Sequence, residues 1–160
     1  MCVVAWQSKP AAAVLVPDSP GCQLAPGIVD SSGAFALDAS ALLDGRPQDA
    51  GSDEIVIYKP RWGAFYEPAL EVPLRRWDIS SVVFCGCNFP NCPRTSIYEA
   101  SERDFRIVLI NDAISGLYDK GCQELASIGV RLMSTADVIE SLVDIAVWLR
   151  PLRGPTARRR

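Results

Sequence analysis

Three cysteines occur close together in the stretch "VVFCGCNFPNCPRTSIYEASERDF", residues 82–105. Cys85 and Cys87 end a run of apolar strand formers, whereas Cys92 follows a short polar loop and precedes Pro93. Four interpretations fit this spacing: metal ligands, a redox pair, one nucleophile with two bystanders, or three thiols packed in a core. The rest of the chain has to distinguish among them.

Cys92 is the strongest candidate for a nucleophile. Pro93 suits the first helical position, because proline has no amide hydrogen to lose there and its φ is already helical. Cys92 is therefore predicted to be the N-cap residue of a helix, and the positive end of the helix dipole favours the thiolate, which is the nucleophilic form. Lys59 can add a positive charge, and the amides of residues 86–92 can stabilise an oxyanion. A thiolate, a cation and free amides together predict acyl transfer or amide hydrolysis.

The other cysteines are weaker candidates for a nucleophile. Cys85 lies inside a predicted strand and is expected in the core, and Cys87 is compatible with packing or with lining a pocket. Cys2, Cys22 and Cys122 are expected to be inert. The C-x-C-x4-C pattern is not a zinc-ribbon spacing, since a fourth ligand such as Cys122 would have to come from elsewhere. Metal binding and a structural disulfide are both disfavoured.

The 160 residues contain no histidine. These residues therefore cannot form a Ser-His-Asp or Cys-His arrangement, or a metal site that needs imidazole. A general base supplied by this sequence must be a carboxylate, a lysine or a thiolate.

The composition is that of an ordinary globular protein, with 49% hydrophobic and 22% charged residues. A single domain is predicted over residues 1–150, poorly defined over 1–52 and well defined over 53–150, with a basic flexible tail at 151–160. The net charge of −3 argues against binding nucleic acid through overall charge. No apolar run approaches the ~18 residues of a membrane span, and no segment is a convincing signal peptide. A cytoplasmic location with reduced cysteines is expected.

Strands and helices are predicted to alternate from residue 53 onward. Strands are predicted in "DEIVIYKP", "ISSVVFCG", "FRIVLIND" and "VRLMS". Helices are predicted in "GAFYEPALEVPLRRW", which is short and interrupted near its prolines, and in "PRTSIYEASERD", "GLYDKGCQELASIG" and "STADVIESLVDIAVWL". Gly129 is placed to end the third helix, and Ser134 or Thr135 to cap the fourth.

Alternating strands and helices predict an α/β fold with a mostly parallel sheet covered on both faces. The strand "ISSVVFCG" is apolar nearly throughout, which is typical of burial on both faces. Ligands of such sheets bind outside the carboxyl ends of the strands. Lys59, the loop 86–92 and Asn111–Asp112 are therefore expected to face one crevice.

Two motifs resemble those of a known family. "GCNFPNCPRTSIYEASERDFRIVLINDAIS" resembles the signature of the isochorismatase-like cysteine hydrolases, with Gly86 six positions before Cys92, Ala100 in the helix and Asp112–Ala113 at the strand end. Upstream, "YKPRWGAF" resembles the family's lysine motif, with Lys59 in the lysine position. The resemblance covers about residues 53–140.

The resemblance implies a three-layer Rossmann-like sandwich and hydrolysis of an amide, amidine or vinyl ether. It implies Cys92 as the nucleophile and Lys59 as the residue that orients and stabilises it. It implies an oxyanion hole from the backbone amides of Asn88 and Cys92, and a non-proline cis peptide at Cys87–Asn88. The expected activity is hydrolysis of a C–N bond in a small-molecule substrate, with no cofactor and no metal.

Several positions depart from the family pattern. Phe89 replaces a threonine, Pro93 replaces a valine, and Asp104 stands where a glycine often precedes the next strand. Trp62 and Phe89, with the pocket phenylalanine Phe65, predict a partly aromatic pocket wall, although aromatic residues at these positions are equally compatible with a core. The histidine-rich metal site of nicotinamidases cannot be formed, which disfavours that activity.

The catalytic aspartate of the family has no match. It is expected after the family's first strand, whereas Asp18 here follows a short apolar run at 11–16 and is flanked by prolines. We therefore expect the first strand and helix of the family fold to be missing, with 11–16 as a candidate fifth strand. The alternative function is that of a catalytically silent relative that binds a small molecule or a protein. An exposed sheet edge would favour association into a homo-oligomer.

Overall fold

The computed structural model describes residues 2–5, 23–24, 27–28, 35–51, 53–66 and 70–148, with the backbone alone at 2–5 and 143–148. The elements of this part of the chain are β1 (Cys2–Ala5), α1 (Ala39–Leu43), β2 (Gln48–Asp49), β3 (Ile55–Lys59), α2 (Glu71–Arg76), β4 (Ser81–Gly86), α3 (Cys92–Ser101), β5 (Arg106–Ile114), α4 (Asp119–Ser127), β6 (Arg131–Met133) and α5 (Thr135–Trp148). All four predicted strands and all four predicted helices are confirmed.

The strands form two three-stranded sheets in the described part of the chain. In the first sheet, β3 lies between β1, which is parallel to it, and the short antiparallel β2. In the second sheet, β5 lies between β4 and β6, and both pairings are parallel. The predicted α/β class with a mostly parallel arrangement is confirmed.

Strand β3 is buried on both faces, as alternation along a strand allows. Ile55 and Ile57 point into the larger of two cores, while Val56 packs with Leu42 of α1 in the smaller one. Helices therefore cover both faces at this point, and the last residue of β3, Lys59, is held at the end of a rigid strand.

The larger core joins β3, β4 and β5 to α2, α3 and α4. Its fully buried side chains include Ile57, Leu70, Phe89, Ile97, Leu109 and Leu125. Because this core contacts strands of both sheets, it holds the described parts of the two sheets together.

Strand β4 is buried on one face only, so the expectation of burial on both faces is wrong. Val82 is buried, whereas Val83 is 46% exposed and Cys85 is exposed. Helix α5 approaches β5 on that side, and Val83 lines a cavity of about 640 Å³ together with Leu142 of α5. Cys85 is therefore not the core thiol that was predicted.

The N-terminal residues were not predicted to form a strand, but β1 occupies Cys2–Ala5 with Ala5 opposite Lys59. Four residues are too few to show a reliable period, which is why the pattern gave no signal. The candidate strand at 11–16, Asp18 and the tail at 151–160 lie outside the described residues. Among the described residues, no helix combines the length and apolar character that crossing a membrane requires.

Two turns have left-handed backbone at the positions that the sequence singled out. Gly129 follows α4 with φ +86°, as predicted for the residue that ends this helix. Asp104, where the family often has glycine, has φ +61° before β5. Aspartate tolerates this region better than most residues, so the turn is preserved without glycine.

Candidate active site

The turn between β4 and α3 contains the predicted cis peptide bond at Cys87–Asn88. It begins at Gly86, whose φ of +115° favours glycine. The turn brings Asn88, Phe89 and the start of α3 to the carboxyl end of β4.

The end of β5 fixes this turn through the backbone of Ser115. The Ser115 amide donates to the carbonyl oxygen of Gly86 at 3.0 Å, and the Phe89 amide donates to the carbonyl oxygen of Ser115 at 2.8 Å. Gly116 has φ +70°, and a Cβ there would overlap Oδ1 of Asn88. Glycine is therefore required for β5 to approach the turn this closely.

Several amides of the turn, that of Cys87 among them, have no acceptor in the described part of the chain. The amides of Phe89 and Asn91 both donate to backbone carbonyl oxygens, but those of Asn88 and Cys92 donate to no residue that the structure describes. Unsatisfied donors of this kind at a helix start are available to an anionic oxygen. The amides of Asn88 and Cys92 are the two that the resemblance assigned to an oxyanion hole.

Helix α3 starts one residue earlier than predicted. Asn91 is the N-cap residue and Cys92 is the first helical residue, with Pro93 in the second position. Proline is tolerated in either of the first two positions because neither amide has a partner within the helix. Cys92 is partly buried, and its sulfur remains in the first turn of α3.

The Lys59 side chain is buried, with 5% exposed, and turns toward the loop that follows β3. Its ammonium donates to the carbonyl oxygens of Arg61 at 3.1 Å and Trp62 at 3.0 Å. Within the described residues, no carboxylate forms an ion pair with Nζ. With two carbonyl acceptors among the described residues, the ammonium has a third N–H that can bind a further partner.

The loop of residues 60–66 is bonded to α3. The amide of Ala64 donates to Oγ of Ser96 at 3.0 Å, and the amide of Phe65 donates to Oε2 of Glu99 at 3.0 Å. The hydroxyl of Ser96 in turn donates to the carbonyl oxygen of Cys92 at 2.8 Å. The lysine loop and the cysteine helix therefore form one hydrogen-bonded unit.

Residues 6–140 match the family model of the isochorismatase domain. The chain belongs to the isochorismatase family.

Relatives of this isochorismatase chain include a family protein, YecD of Escherichia coli O157:H7. YecD is 38% identical over 66 residues, which are 41% of this chain and 35% of YecD. The matched part of the chain thus spans well under two thirds of that relative.

Two solved structures share the fold of this isochorismatase chain. An isochorismatase-like hydrolase from Alkaliphilus metalliredigens has a TM-score of 0.60 at 19% identity, covering 87% of this chain and 67% of that one. A pyrazinamidase of Pyrococcus horikoshii in complex with zinc has a TM-score of 0.60 at 18% identity, covering 82% and 73%. Because these 160 residues contain no histidine, they cannot supply imidazole ligands to such a metal.

The three predicted pocket residues of the isochorismatase domain differ in exposure. Trp62 is 41% exposed, Phe65 is 2% exposed and Phe89 is completely buried. The Phe65 and Phe89 rings pack in the larger core, with the Phe65 centroid 5.8 Å from that of Phe105. In this conformation only Trp62 presents surface to a ligand, and it remains a predicted pocket residue.

The remaining candidate ligands do not cluster. Cys85 and Cys87 are exposed and Cys122 is partly buried, and all are free thiols. In the part of the chain that the structure describes, no group of three cysteine, aspartate or glutamate side chains is arranged to hold a metal ion.

Asp112 proves to be the anchor of α5. Its Oδ1 accepts hydrogen bonds from the amide and the hydroxyl of Thr135, both at 2.8 Å, and the hydroxyl bond is the main reason that the pKa of Asp112 is lowered. Ser134 and Asp137 cap the same helix reciprocally, which confirms Ser134 as a capping residue. The sequence separation between Asp112 and α5 did not predict this contact.

Proposed function

We propose that this chain is a cysteine hydrolase that cleaves a C–N bond of amide type in a small molecule. The observation that carries the proposal is the pair of amides of Asn88 and Cys92, which donate to no described residue, beside a thiol in the first turn of α3. An amide pair at a helix start is suited to an oxygen that gains negative charge during acyl transfer.

The proposed reaction has two stages. The Cys92 thiolate attacks the carbonyl carbon, and the resulting oxyanion accepts hydrogen bonds from the two amides. The C–N bond then breaks, and the leaving nitrogen takes a proton for which the Lys59 ammonium is the proposed donor. Water attacks the thioester in the second stage and passes one proton to the Lys59 amine, which releases the acid and restores both the thiolate and the ammonium.

Trapping of an acyl-enzyme tests the proposal. The protein is mixed with a panel of small aliphatic and aromatic carboxamides, and intact mass and amine release are followed together. We expect a mass increase on the peptide that contains Cys92, and loss of both signals in Cys92→Ala. Cys122→Ala removes another partly buried thiol and is expected to behave as the wild type. Turnover that survives in Cys92→Ala would refute the nucleophile.

A second candidate function is that of a binding protein without turnover. The observation that favours it is the lack of a carboxylate partner for the Lys59 ammonium among the described residues. Positioned acid–base catalysis contributes about 10²–10⁴-fold, so a site without a base would turn over slowly. Calorimetric binding of a carboxamide that is unchanged in Cys92→Ala, with no amine release from wild type, would support this function.

A further inference from the structure

We infer that Ser96 and Glu99 are positioning residues, which set where the Lys59 ammonium stands relative to the Cys92 thiol. The inference rests on the proposed function, since it concerns the same two reactive groups. It adds two residues that neither touch the reacting atoms nor follow from the motif spacing.

The first step of the argument is that the ammonium is held by its own loop. Nζ of Lys59 is bonded to the carbonyl oxygens of Arg61 and Trp62, so its position follows the backbone of residues 60–66. Because Lys59 is only 5% exposed, water offers the ammonium few alternative hydrogen bonds. If the loop shifts, the charge shifts with it.

The second step is that the loop is attached to α3 by two side chains. Ser96, 4% exposed, accepts from the Ala64 amide, and Glu99 accepts from the Phe65 amide. The lack of a side chain at Gly63 allows the Glu99 contact, because a Cβ there would overlap the Glu99 carboxylate. These contacts connect positions more than thirty residues apart in the sequence.

The third step is that Ser96 reaches the nucleophilic residue itself. Its hydroxyl donates to the carbonyl oxygen of Cys92, one helical turn earlier. Cys92, Ser96 and Glu99 are spaced by four and three residues, so they lie on one face of α3. At 1.5 Å per residue, Glu99 is about 10 Å along the helix from Cys92, so it acts through the loop and not on the thiol.

The test measures alkylation of Cys92 by iodoacetamide, followed by mass spectrometry of the Cys92 peptide across a range of pH. This readout needs no substrate and no turnover. Lys59→Met defines the effect of removing the charge, which is expected to move the alkylation profile to higher pH because, in the proposed site, the thiolate loses the cation that stabilises it.

Ser96→Ala and Glu99→Ala are expected to move the profile in the same direction and to slow alkylation at neutral pH by about three- to tenfold, the scale of one lost hydrogen bond. Glu99→Gln keeps a carbonyl oxygen for the Phe65 amide and is expected to restore most of the rate. In the Lys59→Met background, Ser96→Ala is expected to add little, because no ammonium is left to position.

Two matched controls lie on the same helix. Thr95 also donates its hydroxyl to a carbonyl oxygen four residues earlier, that of Asn91, but its side chain forms no hydrogen bond with a described residue of the loop. Glu102 is an exposed carboxylate one residue past the end of α3. Thr95→Ala and Glu102→Ala are expected to leave the profile unchanged, and thermal melting confirms that each variant is folded.

The outcomes separate this inference from the proposed function. If Lys59→Met moves the profile while Ser96→Ala and Glu99→Ala match their controls, the positioning role is refuted and the lysine–cysteine pair stands. If the Ser96→Ala effect is equally large without Lys59, the effect is structural and the inference is again refuted. If Lys59→Met has no effect, both the pair and its positioning fail.

Discussion

Gly121 of α4 lies directly against Phe89, and a Cβ at this glycine would stand 2.6 Å from Cε1 of the phenyl ring. The ring is completely buried and makes an edge contact with Tyr118, whose centroid is 5.5 Å away. Phe89 follows Asn88, whose amide donates to no residue that the structure describes. The packing of α4 therefore fixes the turn that supplies this donor.

Gly121→Ala is expected to destabilise the protein although alanine favours helices. Overpacking a rigid buried ring costs about 1–3 kcal/mol, against about 1 kcal/mol gained by replacing glycine within a helix. Urea unfolding should show a net loss of about 1 kcal/mol, and Cys92 alkylation should slow as the turn moves. Gly51→Ala is the control, since the nearest atom to a Cβ there is the end of the Glu54 side chain. Higher stability in Gly121→Ala would show that the Phe89 ring can move to accommodate the added methyl group.

Trp62→Ala and Phe65→Ala should separate a pocket residue from a core residue. Phe65 is 2% exposed, so its truncation is expected to lower the free energy of unfolding by about 3–5 kcal/mol. Trp62 is 41% exposed, and its truncation is expected to change that free energy by less than about 0.5 kcal/mol. With a substrate in hand, Trp62→Ala should raise KM and leave kcat unchanged. An unchanged KM would show that Trp62 does not contribute to substrate binding.

Acid is expected to weaken the attachment of α5 to β5. The pKa of Asp112 is lowered in the folded protein, mainly by the Thr135 hydroxyl, so this carboxylate stabilises the fold above its ordinary pKa. That contribution is lost as the pH falls through the lowered pKa. Urea midpoints measured from neutral to strongly acidic pH should fall less steeply in Asp112→Ala than in wild type.

Asp137 is expected to leave part of the pH dependence of stability in the Asp112→Ala protein. Its pKa is also lowered, mainly by the Ser134 hydroxyl, and it remains in the Asp112→Ala protein. Glu102→Ala, which removes an exposed carboxylate beyond α3, is the control and should keep the wild-type slope. If the urea midpoint depends on pH equally in wild type and Asp112→Ala, the proposed contribution of Asp112 to the attachment of α5 is contradicted.

The Arg94–Glu124 ion pair is expected to give a measurable contribution that depends on salt. Its atoms are 2.7 Å apart with both side chains 32% exposed, and Arg94 also donates to the Tyr118 hydroxyl at 2.6 Å. Arg94→Ala should cost about 0.5–1 kcal/mol at low salt, and less at high salt. Arg46→Ala removes a more exposed pair, Arg46–Asp44, and should cost close to nothing. Equal losses in the two variants would show that Arg94 stabilises through something other than this pair.

Local pattern explains why the elements from residue 53 onward could be predicted. The run Ile55–Lys59 combines β-branched residues with a proline stop, and the start of α3 is marked by Pro93. Each signal lies within a few residues of the feature it predicts. The helix start differed by one residue, because proline fits either of the first two positions.

Features that depend on distant contacts could not be predicted. The apolar strand β4 gave no sign that Val83 and Cys85 would be exposed, since that depends on where α5 lies. Phe89 looked equally suited to a pocket or a core, and its burial depends on the packing of α4, where Gly121 lies against the ring. The Ser96 and Glu99 contacts join α3 to residues 64–65, a pairing that one sequence does not specify.

The two residues proposed to react lie at or beyond the ends of strands of different sheets in the described part of the chain: Lys59 ends β3, and Cys92 begins α3, which follows β4. Among the described residues, their relative position is maintained by a shared apolar core and a few side-chain bonds, each worth about 1 kcal/mol. Such contacts loosen under milder conditions than a paired strand does. On heating, the proposed hydrolysis should therefore disappear at a lower temperature than the circular dichroism of the helices, so that inactivation precedes melting.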